Sequence, residues 1–87
     1  MMQKNLGQMM KQAQMMHSKM QKIQKELEDK KVEAESGGGM VKVTANGKGE
    51  ILSLNIEKEI VKQDEKEFME DLVLVAVNEA LRRSQEL

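Results

Sequence analysis

His17 and Ser18 stand side by side in the first quarter of the chain, and a histidine beside a hydroxyl is where nucleophilic chemistry would be sought first. The support for it is missing. His17 is the only histidine, no acid or cysteine stands at a fixed spacing from it, and the chain contains no cysteine at all. Disulfides and thiolate metal sites are thereby excluded, and one imidazole cannot build a histidine cluster. Gly37-Gly38-Gly39 and Asn46-Gly47-Lys48-Gly49 could cradle a phosphate on free backbone N–H groups. The triplet, however, precedes a strand-like run rather than a helix. Neither segment carries a Gly-Lys-Ser/Thr string or a dinucleotide fingerprint, and the serines lie outside any nucleophile-elbow pattern. No metal, cofactor or small-molecule substrate is expected, and the protein is not expected to be an enzyme.

What remains is charge. The net charge is -1, but residues 1–25 hold Lys4, Lys11, Lys19, Lys22 and Lys25 with no acid, whereas the remainder holds nine bases against fifteen acids. Such asymmetry marks an end that meets a polyanion while the rest is repelled by it, although a solvated helix face has the same composition.

The segment from Leu6 to Lys31 has no proline and consists mostly of Gln, Lys, Met, Glu and Leu, which predicts a helix over 6–31. Leu6, Met9, Ala13, Met16, Met20, Ile23 and Leu27 recur at alternating spacings of three and four, the pattern of a seam for another helix. At about 1.5 Å per residue this helix would be roughly 39 Å long and would overhang a small sheet. With Leu6 at heptad position a, Lys4, Lys11 and Lys25 fall at f and Lys22 at c, away from the seam. Methionine packs adaptably and specifies poorly. The seam therefore fits either a plain dimer contact or a groove for varied partners.

After Lys31 the apolar period changes to two. Val32, Ala34 and Ser36, then Val41, Val43 and Ala45, then Leu52, Leu54 and Ile56 each alternate with polar residues. Joined by the two glycine-bearing segments, they predict a three-stranded antiparallel meander over 32–57, with hairpin turns whose glycines and asparagine tolerate positive φ. Asp64 followed by Glu67 has the form of an N-cap, predicting a helix over 65–85. Its stretch from Leu72 to Val77 is apolar all round and must be covered on more than one side. Phe68 is expected in the core. Arg82 and Arg83 serve either the negative helix end or phosphate contact.

An 87-residue domain buries only about 60–65 % of its unfolded surface, so without cross-links it calls for a partner. The expectation is a single α+β domain over residues 1–87, ordered helix, three-stranded antiparallel meander, helix (αβββα), with a long projecting N-terminal helix and assembled as a homodimer. No run reaches the roughly 18 apolar residues of a membrane span and the N-terminus lacks secretory-signal features, so a cytoplasmic protein is expected.

The strings Met10-Lys11-Gln12-Ala13-Gln14, Lys19-Met20-Gln21-Lys22, Gly37-Gly38-Gly39-Met40-Val41-Lys42-Val43, Asn46-Gly47, Glu70-Asp71-Leu72-Val73 and Asn78-Glu79-Ala80, in this order, resemble the YbaB/EbfC nucleoid-associated protein family. The resemblance implies a bacterial homodimer, associated with the nucleoid, whose helices project from a shared β core and bind double-stranded DNA. It attributes DNA contact broadly to the first and last helices, so the residues follow from charge: Lys11, Lys19, Lys22 and Lys25, then Arg82 and Arg83. The chain has no helix-turn-helix, zinc finger or aromatic platform, and weak sequence specificity follows. The rival is a protein-interaction adaptor that receives a partner helix on the Met-rich seam.

Overall fold

A computed structural model describes the backbone of residues 2–87 and the side chains of residues 5–87. The order is α1 (Met2–Asp29), β1 (Lys31–Ser36), β2 (Val41–Asn46), β3 (Ile51–Ile56) and α2 (Lys66–Gln85), the expected αβββα arrangement. Short 3-10 turns occupy Gly37–Gly39, Lys58–Ile60 and Gln63–Glu65.

The sheet is antiparallel in the order β1-β2-β3. Ala34 lies opposite Val43 and Val43 opposite Leu54, while Ser36, Val41 and Ile56 form the next row. Alternation thus puts one apolar residue from each strand on a common face. The ladder breaks between Thr44 and Ala45: Thr44 pairs with Ser53 but Ala45 with Ile51, leaving Leu52 as a bulge. Between β1 and β2 the chain reverses through three glycines, all at positive φ, a conformation that side-chain-bearing residues rarely adopt.

Helix α2 lies over β1 and β2, with little contact to β3. Its sheet-facing line carries Ala76, Ala80 and Ser84, all buried and spaced one turn apart, so the backbone can come close to the strands. The core consists of these alanines with Ala34, Val41, Val43, Ala45 and Ile60, flanked by Val32, Met40, Ile56, Met69, Leu72, Val73 and Val77. Two buried serines tie the layers: Ser36 Oγ donates to the Leu72 carbonyl at 2.6 Å and Ser84 Oγ to the Asn46 carbonyl at 2.6 Å. Both hydroxyls are thereby satisfied where an unpaired one would cost about 1–3 kcal/mol.

Three local expectations are corrected. Phe68 is 47 % exposed rather than core, because the face of α2 that meets the sheet is the Ala76–Ala80–Ser84 line. Asp64 does not cap α2; a 3-10 turn leads in, Glu65 N–H bonds to the Lys62 carbonyl at 3.0 Å, and the cap position falls on Glu65 without a side-chain bond. The first helix ends at Asp29, and residues 30 and 31 pass into β1.

Helix α1 stands off this body. The molecule measures 74 × 18 × 16 Å, with a radius of gyration of 20.8 Å where a compact chain of this length would have about 12 Å. Among the described residues, β2 is the one element of the body that receives more than marginal contact from α1.

Candidate nucleic-acid interface

Lys11, Lys19, Lys22 and Lys25 are all exposed on α1, and among the described residues none has an acid within ion-pair distance. At about 100° per residue the four fall within an arc of roughly 120° and extend about 21 Å along the axis. Lys11 and Lys19 border a shallow depression that also holds Gln14, Met15 and Ser18. The seam of Leu6, Met9, Ala13, Met16, Met20, Ile23 and Leu27 runs roughly 145° away, nearly the opposite side of the same helix. All but two of these seven are between 54 and 65 % exposed as large apolar side chains. Leu27 is the exception among the large ones: half-buried, it packs against the β2–β3 turn and is used within the chain. The side chain of Lys4 lies outside the described residues.

Arg82 and Arg83 present a different picture. Arg82 is held between Glu79, at 2.5 Å and 3.0 Å, and Glu86 at 2.6 Å. Arg83 donates to Glu79 at 3.0 Å and to the Glu33 carbonyl at 2.5 Å. Both guanidinium groups are therefore engaged inside the chain at the last turns of α2, whereas the four α1 lysines are not. The sequence carries the signal for this: acids three or four residues from each arginine on one helix form such pairs. The hydrogen bond from Arg82 is the main cause that holds the Glu79 carboxyl at about 2 instead of its ordinary 4.5; local desolvation opposes it, and Arg83 assists. Arg82 is correspondingly pushed above its ordinary value, first by its hydrogen bond to Glu79. Since the Glu79 carboxylate is favoured in the folded chain, its stabilising pairing is complete above pH 4.5 and is lost as pH falls through about 2. In a carbon-detected NMR titration Glu79 should titrate well below ordinary glutamates, and Arg82→Gln should bring it back toward 4.5. A Glu79 midpoint that ignores the substitution would contradict this pairing.

The outer face of the sheet offers an open depression of about 530 Å³, lined among others by Glu33, Glu35, Lys42, Thr44, Ser53 and Asn55. Acid and base are mixed there, which suits a solvated sheet face better than a polyanion. Among the described residues no group of three or more His, Cys, Asp or Glu is placed to hold a metal ion, and no helix is long and apolar enough to cross a membrane.

A small α+β body from which a long helix projects, with lysines that have no acidic partner among the described residues along one side of it, defines an αβββα scaffold with an exposed row of positive charge. The comparisons give that class its family: residues 2–87 match the YbaB/EbfC DNA-binding family, and the chain belongs to it. Nucleoid-associated protein TTE0040 of Caldanaerobacter subterraneus subsp. tengcongensis is 53 % identical over 83 residues, 95 % of this chain and 75 % of the relative. Nucleoid-associated protein NT01CX_0824 of Clostridium novyi is 52 % identical over 82 residues, 94 % of this chain and 72 % of the relative. Among solved structures, the uncharacterized protein HP0035 of Helicobacter pylori superposes with a TM-score of 0.72 at 28 % identity, covering 85 % of this chain and 86 % of that one.

Proposed function

We propose that this chain is a nucleoid-associated, non-enzymatic protein that binds duplex DNA as a homodimer, through the lysines of its two projecting α1 helices and with weak sequence specificity. The observation that carries the reading is the arc of Lys11, Lys19, Lys22 and Lys25, exposed and without acidic partners on a helix that stands clear of an acidic body. A duplex carries one negative charge per about 1.7 Å of axis, so a 21 Å row of lysines faces ample phosphate. The acidic remainder repels DNA and confines contact to the arms. Arg82 and Arg83 rank below the lysines, because recruiting them to phosphate requires breaking their pairs with Glu79 and Glu86.

Pairing is supported by what α2 leaves uncovered. Leu52 and Leu54 on β3, Leu74 and Val75 on α2, and Phe68 and Val61 are each 47–61 % exposed. A lone soluble chain rarely carries so many large apolar side chains around one body, and a second copy is the occupant that gives each chain the second layer its α2 requires. The α1 seam is then a further contact surface, available to the second copy's helix or, on the adaptor reading, to a partner helix.

The test is duplex binding by the pure protein across a salt series, with light scattering on the same sample. If all four described lysines of both arms reach phosphate, the logarithm of affinity should fall against the logarithm of salt with a slope of about −7. A dimer that ignores duplex even at low salt would turn the reading to the adaptor.

A further inference from the structure

We propose that Gly47 is a positioning residue: it seats the base of α1 on the β2–β3 turn and thereby sets the direction in which the basic arm leaves the body. The proposal rests on the DNA-binding reading for its functional consequence but not for its geometry.

The sequence offers Asn46-Gly47 as a hairpin turn in which glycine supplies positive φ. The turn works otherwise. Positive φ is taken by Gly49, at 82°, and Gly47 is not among the residues with positive φ. What Gly47 supplies is the absence of a side chain. A Cβ there would lie 2.7 Å from the Leu27 carbonyl oxygen, 3.0 Å from Leu27 Cδ2 and 3.1 Å from Leu27 Cβ, whereas one at Gly49 would meet nothing within 4 Å. The close approach lets the Gly47 N–H reach the Leu27 carbonyl in the last turn of α1 at 2.8 Å and the carbonyl of Lys30, just past its end, at 3.1 Å. The Leu27 carbonyl at the end of α1 is therefore capped by another element as well as by its own continuation, Lys30 N–H donating to it at 3.3 Å and Gly47 N–H more closely.

The turn that makes this contact is itself rigid. Asn46 is 2 % exposed, and its Oδ1 accepts from the N–H groups of Lys48 at 3.0 Å and Glu50 at 3.1 Å. Its carbonyl accepts from the buried Ser84 hydroxyl of α2 at 2.6 Å. A continuous path of short contacts thus runs from α2 through Asn46 and Gly47 to the base of α1. Lys48 and Glu28 add an exposed ion pair at 4.0 Å, of little weight by itself. Among the described residues α1 has scant other contact with the body, so this seat and the direct passage through Lys30 into β1 hold its base. Relief of about 0.5 Å across a helix radius of about 5 Å tilts the axis by roughly 6°, which moves Lys11, about 24 Å from Leu27 along α1, by roughly 2.4 Å. That is more than the reach tolerance of a phosphate hydrogen bond.

The absence of cysteine allows unique labelling. Spin labels on a Ser18→Cys/Ser53→Cys chain, diluted into unlabelled protein, report the distance between arm and sheet by pulsed electron resonance. Gly47→Ala and Gly47→Val should shift or broaden that distance in the order of side-chain size. The unlabelled Gly47→Val protein should bind duplex at least tenfold more weakly while keeping wild-type mass and sheet content. Gly49→Ala is the contrasting variant: it strains the turn through its φ but should leave the label distance unchanged. A Gly47→Val distance distribution identical to wild type would overturn the proposal, as would a Gly49→Ala shift equal to that of Gly47→Ala. If the wild type fails to bind duplex, the functional reading falls, and the label distances still decide whether Gly47 sets the arm.

Discussion

Changing Lys19, Lys22 and Lys25 together to glutamate is expected to abolish duplex retention at moderate salt while leaving the mass of the assembly unchanged. The three side chains are exposed and have no partner among the described residues, so nothing in the fold depends on them. Lysine and glutamate are comparable helix formers, and α1 should persist. The substitution replaces three positive charges by three negative ones on each arm. On a dimer it removes six potential phosphate contacts and introduces six repulsions. Losing six contacts removes a salt exponent of about 5, which at about 0.2 M salt relative to 1 M amounts to roughly a thousandfold or more in affinity, and the added repulsions deepen the loss. The corresponding triple change to glutamine should weaken binding less and flatten the salt slope by about 5, which separates lost contacts from added repulsion. Changing Arg82 and Arg83 together to glutamine should have a smaller effect, since their charge is already met by Glu79, Glu86 and the Glu33 carbonyl. Retention of duplex by the glutamate triple variant would show that the arms' lysines are not the contact.

The elements were readable in the sequence where one physical pattern dominated. Alternating spacings of three and four mark α1, and strict alternation marks each strand, because one face of each had to be apolar. The relation between elements was less legible. Ser84 looks like an ordinary polar residue near a helix end, yet it is buried because α2 needs a small side chain where it crosses Asn46, and its hydroxyl finds a carbonyl there. Ile60 stands between β3 and α2 and carries no periodic signal, yet it fills the core from a short 3-10 turn. Phe68 illustrates the converse: hydrophobicity placed it inside, but the face of α2 that meets the sheet is the Ala76–Ala80–Ser84 line flanked by Met69, Leu72, Val73 and Val77, and Phe68 lies off that face. At Leu52 a bulge interrupts an alternation that continued smoothly in the sequence. For the site, the heptad placed Lys11, Lys22 and Lys25 away from the seam and Lys19 at position g beside it, and all four are exposed, whereas the capture of Arg82 and Arg83 required attention to the spacing of Glu79 and Glu86. Gly47 was visible as a turn residue, but its reason, the approach of a helix from far earlier in the chain, was not.

Replacing Leu54 or Leu74 by glutamate should convert the assembled protein to monomers at micromolar concentration without unfolding the chain. Leu54 stands on the apolar face of β3 opposite Val43 but is 49 % exposed, because α2 covers β1 and β2 instead. Leu74 is 61 % exposed on α2, turned away from the Ala76–Ala80–Ser84 line. Within a single chain either carboxylate therefore keeps access to water, and the cost to folding should be small. In a two-fold assembly each change occurs twice at one interface. Burying a leucine is worth about 1.5–3 kcal/mol, and a carboxylate in its place must also be desolvated, so two copies together should weaken self-association by well over a hundredfold. The arms then act singly. Because linking two binding elements raises overall affinity by about 10²- to 10⁴-fold without any new contact, the monomeric variants should lose duplex affinity although every lysine is intact. Sedimentation of Leu74→Glu beside its circular dichroism separates the outcomes. A folded monomer with weak duplex binding supports pairing through the β3 and α2 surface, whereas an undiminished dimer would move the interface to the Met-rich seam of α1.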